Sequence, residues 1–342
     1  MKAVRFHSHG DVWVLRHEEA PTPRPGREEA RVAVSACALN PLDIWVRTGS
    51  PAYPVTLPHI GGCDISGVVV EIPPNTYGIE VGHRVVIAPG LSCFQCVPCR
   101  SGQDNRCTTY RILGAGSPGG FAEYVVAPIA NLMRIPEFLS FELAAAFPIT
   151  FLTAWHMLIG RAQLKPHQTL LVMGASGGIG TAALQIGKWI GAKVIAAVGH
   201  SNKIERAQQA GAHAVVDYSQ PDVAADIQRL TEGRGADVAI DSAGSISFAL
   251  GLNALAPGGT LVICGATAGP HVTLELRPFF SKEWTVMGAR MGTRSELIEV
   301  TRLISDGALI PILDSVFPLA QLQQAQEKML SRDFFGKIVV IP

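Results

Sequence analysis

Cys93, Cys96, Cys99 and Cys107 stand in the run CFQCVPCRSGQDNRC, at the spacing Cys-x2-Cys-x2-Cys-x7-Cys. A tetrahedral zinc takes four ligands about 2.3 Å from one point, and intervals this short let one loop, residues 91–107, supply them all. Four thiolates fill the coordination shell and leave no place for water or substrate, so the implied zinc is structural. Two disulfides or four unrelated thiols are the alternatives. Disulfide frameworks suit small secreted chains, and the N-terminal text MKAVRFHSHGDVWVL has no apolar core of a signal peptide. An iron–sulfur cluster often takes its last cysteine from farther along the chain.

A second chemistry lies in LLVMGASGGIG, Leu170–Gly180. An apolar strand runs into Gly174, Gly177, Gly178 and Gly180, and the apolar helix text AALQIGKWI follows. The first glycines allow a tight turn and close approach of a pyrophosphate. The last lets helix and strand pack closely, and the helix N-terminus offers free N–H groups to the anion. A glycine string alone is weak, but between a strand and a helix it reads as a dinucleotide loop. An NAD site carries Asp or Glu about 20 residues on, bonded to the adenosine ribose. Here that place reads Gly199, His200, Ser201, Asn202, Lys203, with no acid before Glu205. A carboxylate would repel a 2′-phosphate, whereas Ser201 and Lys203 suit one, so NADP(H) is the expected cofactor.

These residues need a scaffold. The chain has 342 residues, 48% of them hydrophobic and 16% charged, enough for two domains with large cores. Lys plus Arg and Asp plus Glu both number 28, so no charge excess points to nucleic acid or an anionic membrane. The most membrane-like stretch, Leu143–Gly160, is broken by Pro148, Thr150, Thr153 and His156 and reads as a buried helix start. Cys37, Cys63 and Cys264 bring the cysteines to seven, an odd total that suits a reducing, cytoplasmic setting.

The first third is β-rich. Ala30–Ala38, Ile65–Ile72 and Arg84–Ala88 are β-branched runs separated by PTPRPG and PPNTYG, the pattern of a small barrel with long loops. From Thr169 short apolar strands alternate with helical text: Leu170–Met173, Lys193–Val198, Ala214–Val216, Val238–Asp241 and Thr260–Cys264 as strands, with Gly180–Trp189, Lys203–Ala210, Val223–Leu230 and Ile246–Leu255 between them. This predicts a parallel sheet covered on both faces. The tail from about Glu296 carries one or two helices and closes with the strand text GKIVVIP.

Zinc loop, β-rich first third and glycine loop, in this order, resemble the medium-chain dehydrogenase/reductase superfamily over nearly the whole chain. GGFAEYVV (Gly119–Val126), AAAFPITFLTAW (Ala144–Trp155) and FGKIVV (Phe335–Val340) are similar to further parts of its pattern. The resemblance implies an α/β protein: a GroES-like β-barrel catalytic domain (1–125) and a Rossmann doubly wound parallel sheet (126–285). A C-terminal segment (286–342) returns to the catalytic domain near its end. ALNPLDIWVRTG (Ala38–Gly49) is similar to the quinone reductase-like branch, whose members lack catalytic zinc. The alcohol dehydrogenase branch holds that zinc with Cys, His and a second Cys or an acid. Those positions fall here on Asn40, on Cys63 in GGCDISG, followed by Asp64, and on Ile149. Cys63 and Asp64 are both capable of holding a metal, but two of the three ligands are gone.

The resemblance also implies roles. Asn40 is the active-site amide beside the nicotinamide, and Asp43 a supporting acid. Thr153 packs on the nicotinamide. Ser176, Gly177, Gly178 and Ile179 meet the pyrophosphate, and Lys337 lies near it. Gly199, Ser201, Lys203 and Tyr218 surround the 2′-phosphate. Ala243 and Gly265 line the cofactor cleft. The expected substrate is a small carbonyl, enone or quinone, and the expected assembly a homodimer or homotetramer. A zinc-type alcohol or aldehyde dehydrogenase and a non-catalytic NADPH-binding sensor are the competing readings.

Overall fold

Alternation along EARVAVSACA makes β1 (Glu29–Ala38), in which Ala30, Val32, Val34 and Ala36 are buried and the residues between them half-buried. A period of two turns one face of a strand to the core. The structure is a computed structural model that describes residues 1–74 and 78–342, so the turn PPNTYG lies partly outside the described residues. The chain divides into two units: Met1–Ile149 with Thr293–Gly307 and Pro311–Pro342, and Thr150–Gly292 with Ala308–Ile310.

In the first unit β1 is the hub. After it come helix α1 (Pro41–Thr48) and strands β2 (Asp64–Glu71), β3 (Arg84–Ile87), β4 (Tyr124–Pro128) and β5 (Leu132–Arg134). Among the described residues a seven-stranded sheet runs Leu313–Pro318, Lys337–Ile341, β1, β2, β3, β5, with β4 also paired to β1. This is the GroES-like half. Ala38 at the end of β1 pairs with Asp64 on one side and Val339 on the other. That register brings two distant stretches to one place, and the site below is built there.

The second unit is a parallel sheet. Strands β6 (Thr169–Met173), β7 (Lys193–Val198), β8 (Ala214–Asp217), β9 (Ala236–Asp241), β10 (Leu255–Ile263) and β11 (Thr285–Gly288) lie in the order β8-β7-β6-β9-β10-β11. Helix α2 (Gly178–Ile190) follows β6. This is the doubly wound Rossmann order, whose strand order reverses beside β6 while every strand stays parallel. Leu171, Met173, Ile195, Ala239, Leu261 and Trp284 pack in its core. Strands buried on both faces read as continuous apolar runs, which is why they stood out in the sequence.

The expected domain limits need correction. β4 and β5 pair with β1 and β3, so residues 126–149 belong to the first unit, not the second. β11 pairs with β10, and the second unit extends past 285 to Gly292. Strand text alone does not say which sheet a strand joins. Among the described residues no helix is long and apolar enough to cross a membrane.

Candidate active site, metal loop and nucleotide loop

Asn40 ends β1's turn into α1 and is the N-cap residue of that helix, with Pro41 at its first position. Its backbone N–H donates to Asp43 Oδ2 at 2.7 Å, so the acid closes the first turn. At the other end of α1, Arg47 is buried and donates to Gln326 Oε1 at 2.8 Å and to the Gly10 carbonyl at 2.7 Å. Both ends of the helix are thereby fixed.

The Asn40 side chain joins a buried network. Its Nδ2 donates to Asp64 Oδ2 at 2.9 Å, and its Oδ1 accepts from Lys337 Nζ at 2.7 Å. Lys337 Nζ also lies 3.1 Å from Asp64 Oδ2, and Ile149 N donates to Asp64 Oδ1 at 2.9 Å. Asp64 is fully buried and Lys337 nearly so. A buried carboxylate needs a cation and donors to offset its desolvation, and Asp64 has both. The role expected of Lys337 at a pyrophosphate is corrected here, because its ammonium is buried against Asn40 and Asp64. Asp64, noted in the sequence only as a residue able to hold a metal, is here the buried anion of the network. The available signal was a lone acid in GGCDISG and a lone lysine in FGKIVV, two apolar strands that each border β1.

Asp43 is less well compensated. Oδ1 accepts from Gly62 N at 3.1 Å and from the Cys63 thiol at 3.6 Å. Burial raises its pKa from the usual 3.8 to about 6, against the pull of Asn40 N–H, Lys337 and Gly62 N–H. Burial, with the charges of Asp43 and Asp64, pushes the Cys63 thiol up. A catalytic zinc does not fit these residues. The Asn40 oxygen is engaged by an ammonium, Cys63 is a protonated donor to Asp43, and Ile149 offers an apolar side chain.

The four-cysteine loop is different. The sulfurs of Cys93, Cys96, Cys99 and Cys107 all lie within 4.8 Å of one another. Cys96 and Cys99 sulfurs are 3.4 Å apart, and those of Cys93 and Cys99 4.0 Å. A tetrahedral zinc–thiolate site places sulfurs about 3.8 Å apart, whereas a disulfide needs about 2.05 Å. Backbone N–H groups of Cys93 and Cys96 point at the sulfurs of Cys107 and Cys93, at 3.3 and 3.4 Å. This donor set fits a structural zinc. The loop is stitched to helix α3 (Arg294–Ser305): Arg294 N donates to Asp104 Oδ1 at 3.0 Å, and the Arg294 guanidinium lies 5.8 Å from the Phe94 ring centre.

In the second unit Gly174 has φ +65° and Gly177 is the N-cap of α2. A Cβ on Gly180 would lie 2.5 Å from the Gly174 carbonyl oxygen, so only glycine allows the helix this close to the turn. A Cβ on Gly177 would meet only the Gly174 oxygen, at 3.6 Å, which leaves the loop surface open. The start of α2, with Gly178 and Ile179 in its first turn, offers backbone donors to an anion. Lys203 Nζ donates to Ser176 Oγ at 3.4 Å, joining the β7 end to the glycine loop. Gly199 lies under Tyr218, and Ser201 opens the short turn Ser201–Lys203. Ala243 N donates to Asp241 Oδ1 at 2.8 Å after β9. Gly265 follows β10, where a Cβ would lie 2.5 Å from the Ser242 carbonyl oxygen. These loops share the C-terminal end of the sheet, where doubly wound folds bind ligands. Thr153 is buried on the helix Pro148–Trp155, not on these loops.

Residues 26–137 match the alcohol dehydrogenase GroES-like domain, and residues 178–306 match the zinc-binding dehydrogenase family. The quinone oxidoreductase of Homo sapiens is 27% identical, over 100% of this chain and 98% of its own. An NAD-dependent alcohol dehydrogenase of Saccharolobus solfataricus is 29% identical, with 100% of both chains covered. A solved structure of an NAD-dependent alcohol dehydrogenase superposes with a TM-score of 0.96 at 42% identity, covering 100% of both chains. Family matches in both units, the Rossmann strand order and the four-cysteine loop agree: the chain belongs to the medium-chain dehydrogenase/reductase superfamily, among its zinc-containing alcohol dehydrogenase-like members.

Proposed function

We propose that the protein is an NADPH-dependent oxidoreductase that reduces a quinone or an α,β-unsaturated carbonyl without a catalytic zinc. The observation that carries this reading is the Asn40–Asp64–Lys337 network, in which an amide held by a lysine ammonium stands at one of the metal-ligand positions of the alcohol dehydrogenase branch. An alcohol dehydrogenase needs a Lewis acid to hold an alkoxide. Quinones and enones spread the negative charge themselves and need less help. When bound, the nicotinamide supplies the hydride.

The chain's own part is to orient and to donate. One Asn40 Nδ2 hydrogen goes to Asp64; the contact to the Ala38 carbonyl, at 3.5 Å, is at the limit of hydrogen bonding. The second hydrogen therefore suits a substrate oxygen. Lys337 on Oδ1 polarises the amide and strengthens that donor. In unit 2 the start of α2 binds the pyrophosphate, and Ser201, Lys203 and Tyr218 favour a 2′-phosphate. The names of the alcohol dehydrogenase relatives favour a second reading, oxidation of an alcohol with NAD, which the replaced metal ligands argue against.

The test is steady-state oxidation of NADPH and of NADH against quinones, enones, aldehydes and alcohols, with zinc measured on the same sample. We expect turnover of a quinone or enone with NADPH and one zinc per chain. Two zincs per chain in chelator-washed, active protein would remove the zinc-free mechanism, and turnover of alcohols alone would favour the second reading.

A further inference from the structure

We propose that Lys337 is a catalytic residue in its own right: its ammonium and the Asn40 amide donate together to one substrate oxygen, meeting the charge that a zinc meets in the alcohol dehydrogenase branch. The proposal rests on the carbonyl-reduction reading and names a second donor for that same site.

Three observations carry it. The first is a surplus of hydrogens. An ammonium carries three N–H bonds and an amide nitrogen two. Among the described residues, Lys337 Nζ donates to Asn40 Oδ1 at 2.7 Å and to Asp64 Oδ2 at 3.1 Å, and Asn40 Nδ2 donates to Asp64 Oδ2 at 2.9 Å. One hydrogen on each nitrogen is left, since the Ala38 carbonyl stands at the 3.5 Å limit. The charges of the cluster balance, but these two hydrogens do not, and a carbonyl oxygen has two lone pairs to receive them. The second observation is convergence. The two nitrogens already share one oxygen, Asp64 Oδ2, so their spacing allows a single oxygen to bridge them. The third is exposure. Asp64 is fully buried, whereas Asn40 and Lys337 each keep 4% of their surface, so the donors and not the acid reach the boundary of the cluster.

A buried donor without an acceptor costs stability. An active site keeps such donors because they are preorganised for charge that develops only in the transition state. In an enone, hydride arriving at the β-carbon breaks the C=C π bond, and the carbonyl π pair moves onto oxygen. The hydride carries two electrons from the cofactor, which is oxidised to NADP+. The negative oxygen is met by Lys337 and Asn40 together. Water then protonates the enolate, so Lys337 keeps its own proton and stays matched to Asp64.

The test uses Asp64→Asn with Lys337→Met, which removes both charges at once and leaves no bare carboxylate in the core. The pair of substitutions is made in the full-length protein and again on Asn40→Ala. Loss of one oxyanion donor costs about 10²-fold in kcat. We expect kcat for NADPH-dependent enone reduction to fall by about that factor, with the NADPH dissociation constant and zinc content unchanged. On Asn40→Ala the pair should lower kcat by about 10-fold or more again. No further loss there would mean that Lys337 acts only through the amide, and a weakened NADPH with kcat retained would place the ammonium on the cofactor; either overturns the proposal. A crystal structure of the wild-type protein with NADP+ and cyclohexanone needs no variant. The ketone oxygen should lie within about 3.2 Å of both nitrogens, and an oxygen on Asn40 alone overturns the direct contact. A wild-type protein that reduces neither enones nor quinones overturns the carbonyl-reduction reading itself, whereas the outcomes above overturn only the role of Lys337.

Discussion

The loop around Cys93 and the cluster around Asp64 both belong to the first unit, and both gather groups able to hold a metal. They differ in what they still require. In the loop, four sulfurs converge within 4.8 Å of one another. In the cluster, Asp64 has the Lys337 ammonium, the Asn40 amide and the Ile149 N–H. The first arrangement is an open coordination set. The second is closed upon itself, with the lysine supplying the positive charge. The same chemistry of ligands thus leads to opposite expectations, and the deciding feature is the partner set rather than the residue types.

The largest effect that would break the comparison is loss of the loop's metal. Structural zinc sites bind with roughly 10–16 kcal/mol, so removing one thiolate matters. Cys96→Ser should lower zinc content below one per chain and loosen residues 91–107, as read by elemental analysis and hydrogen exchange. The cluster should be untouched. Full zinc occupancy in that variant would refute the four-thiolate site.

Next in size is the cluster's own cation. Lys337→Met leaves Asp64 buried with neutral donors only. Breaking a buried pair from one side costs about 3–5 kcal/mol. The urea unfolding midpoint should fall accordingly, while zinc content stays at the wild-type level. An unchanged midpoint would mean that the Asp64 charge is compensated by something other than Lys337.

The smallest expected effect concerns Asp43, the member of the cluster whose charge is least well met. Its pKa is raised by burial to about 6 from the usual 3.8, a difference worth on the order of 3 kcal/mol. As pH rises, the unfolded chain gives up this proton first, so the group's contribution to stability falls between about pH 4 and the folded value near 6. Wild type should therefore lose stability from about pH 4 to about pH 7 relative to Asp43→Asn, in paired urea titrations. Parallel pH dependence in the two proteins would show that Asp43 ionises freely.

The same contrast explains what the sequence made legible. The four cysteines fall within one loop, so their spacing alone defined the set. The Rossmann strands announced themselves as apolar runs, and the glycine loop by its place between strand and helix. The Asp64–Lys337 pair is separated by 273 residues, and no local pattern joins them. Each was visible only as a charge out of place in an apolar strand, and Lys337 was read toward the wrong partner. The domain limit near 125 failed for a related reason, because β4 and β5 carry the same texture whichever sheet they complete. Tyr218 over Gly199 needed coordinates, since glycine at a strand end has many ordinary causes.

The strand Lys337–Ile341 has a consequence for biosynthesis. It pairs with β1, and its first residue donates to Asn40 across 297 positions of chain. A ribosome releases nearly all of the second unit, residues 150–292, before it releases Lys337. The Rossmann sheet can therefore close during translation, while the first sheet waits with β1 unpaired along its Cys37–Ala38 edge. Until Lys337 arrives, Asp64 has no lysine to meet, and the nascent first unit carries its acid without the matching charge.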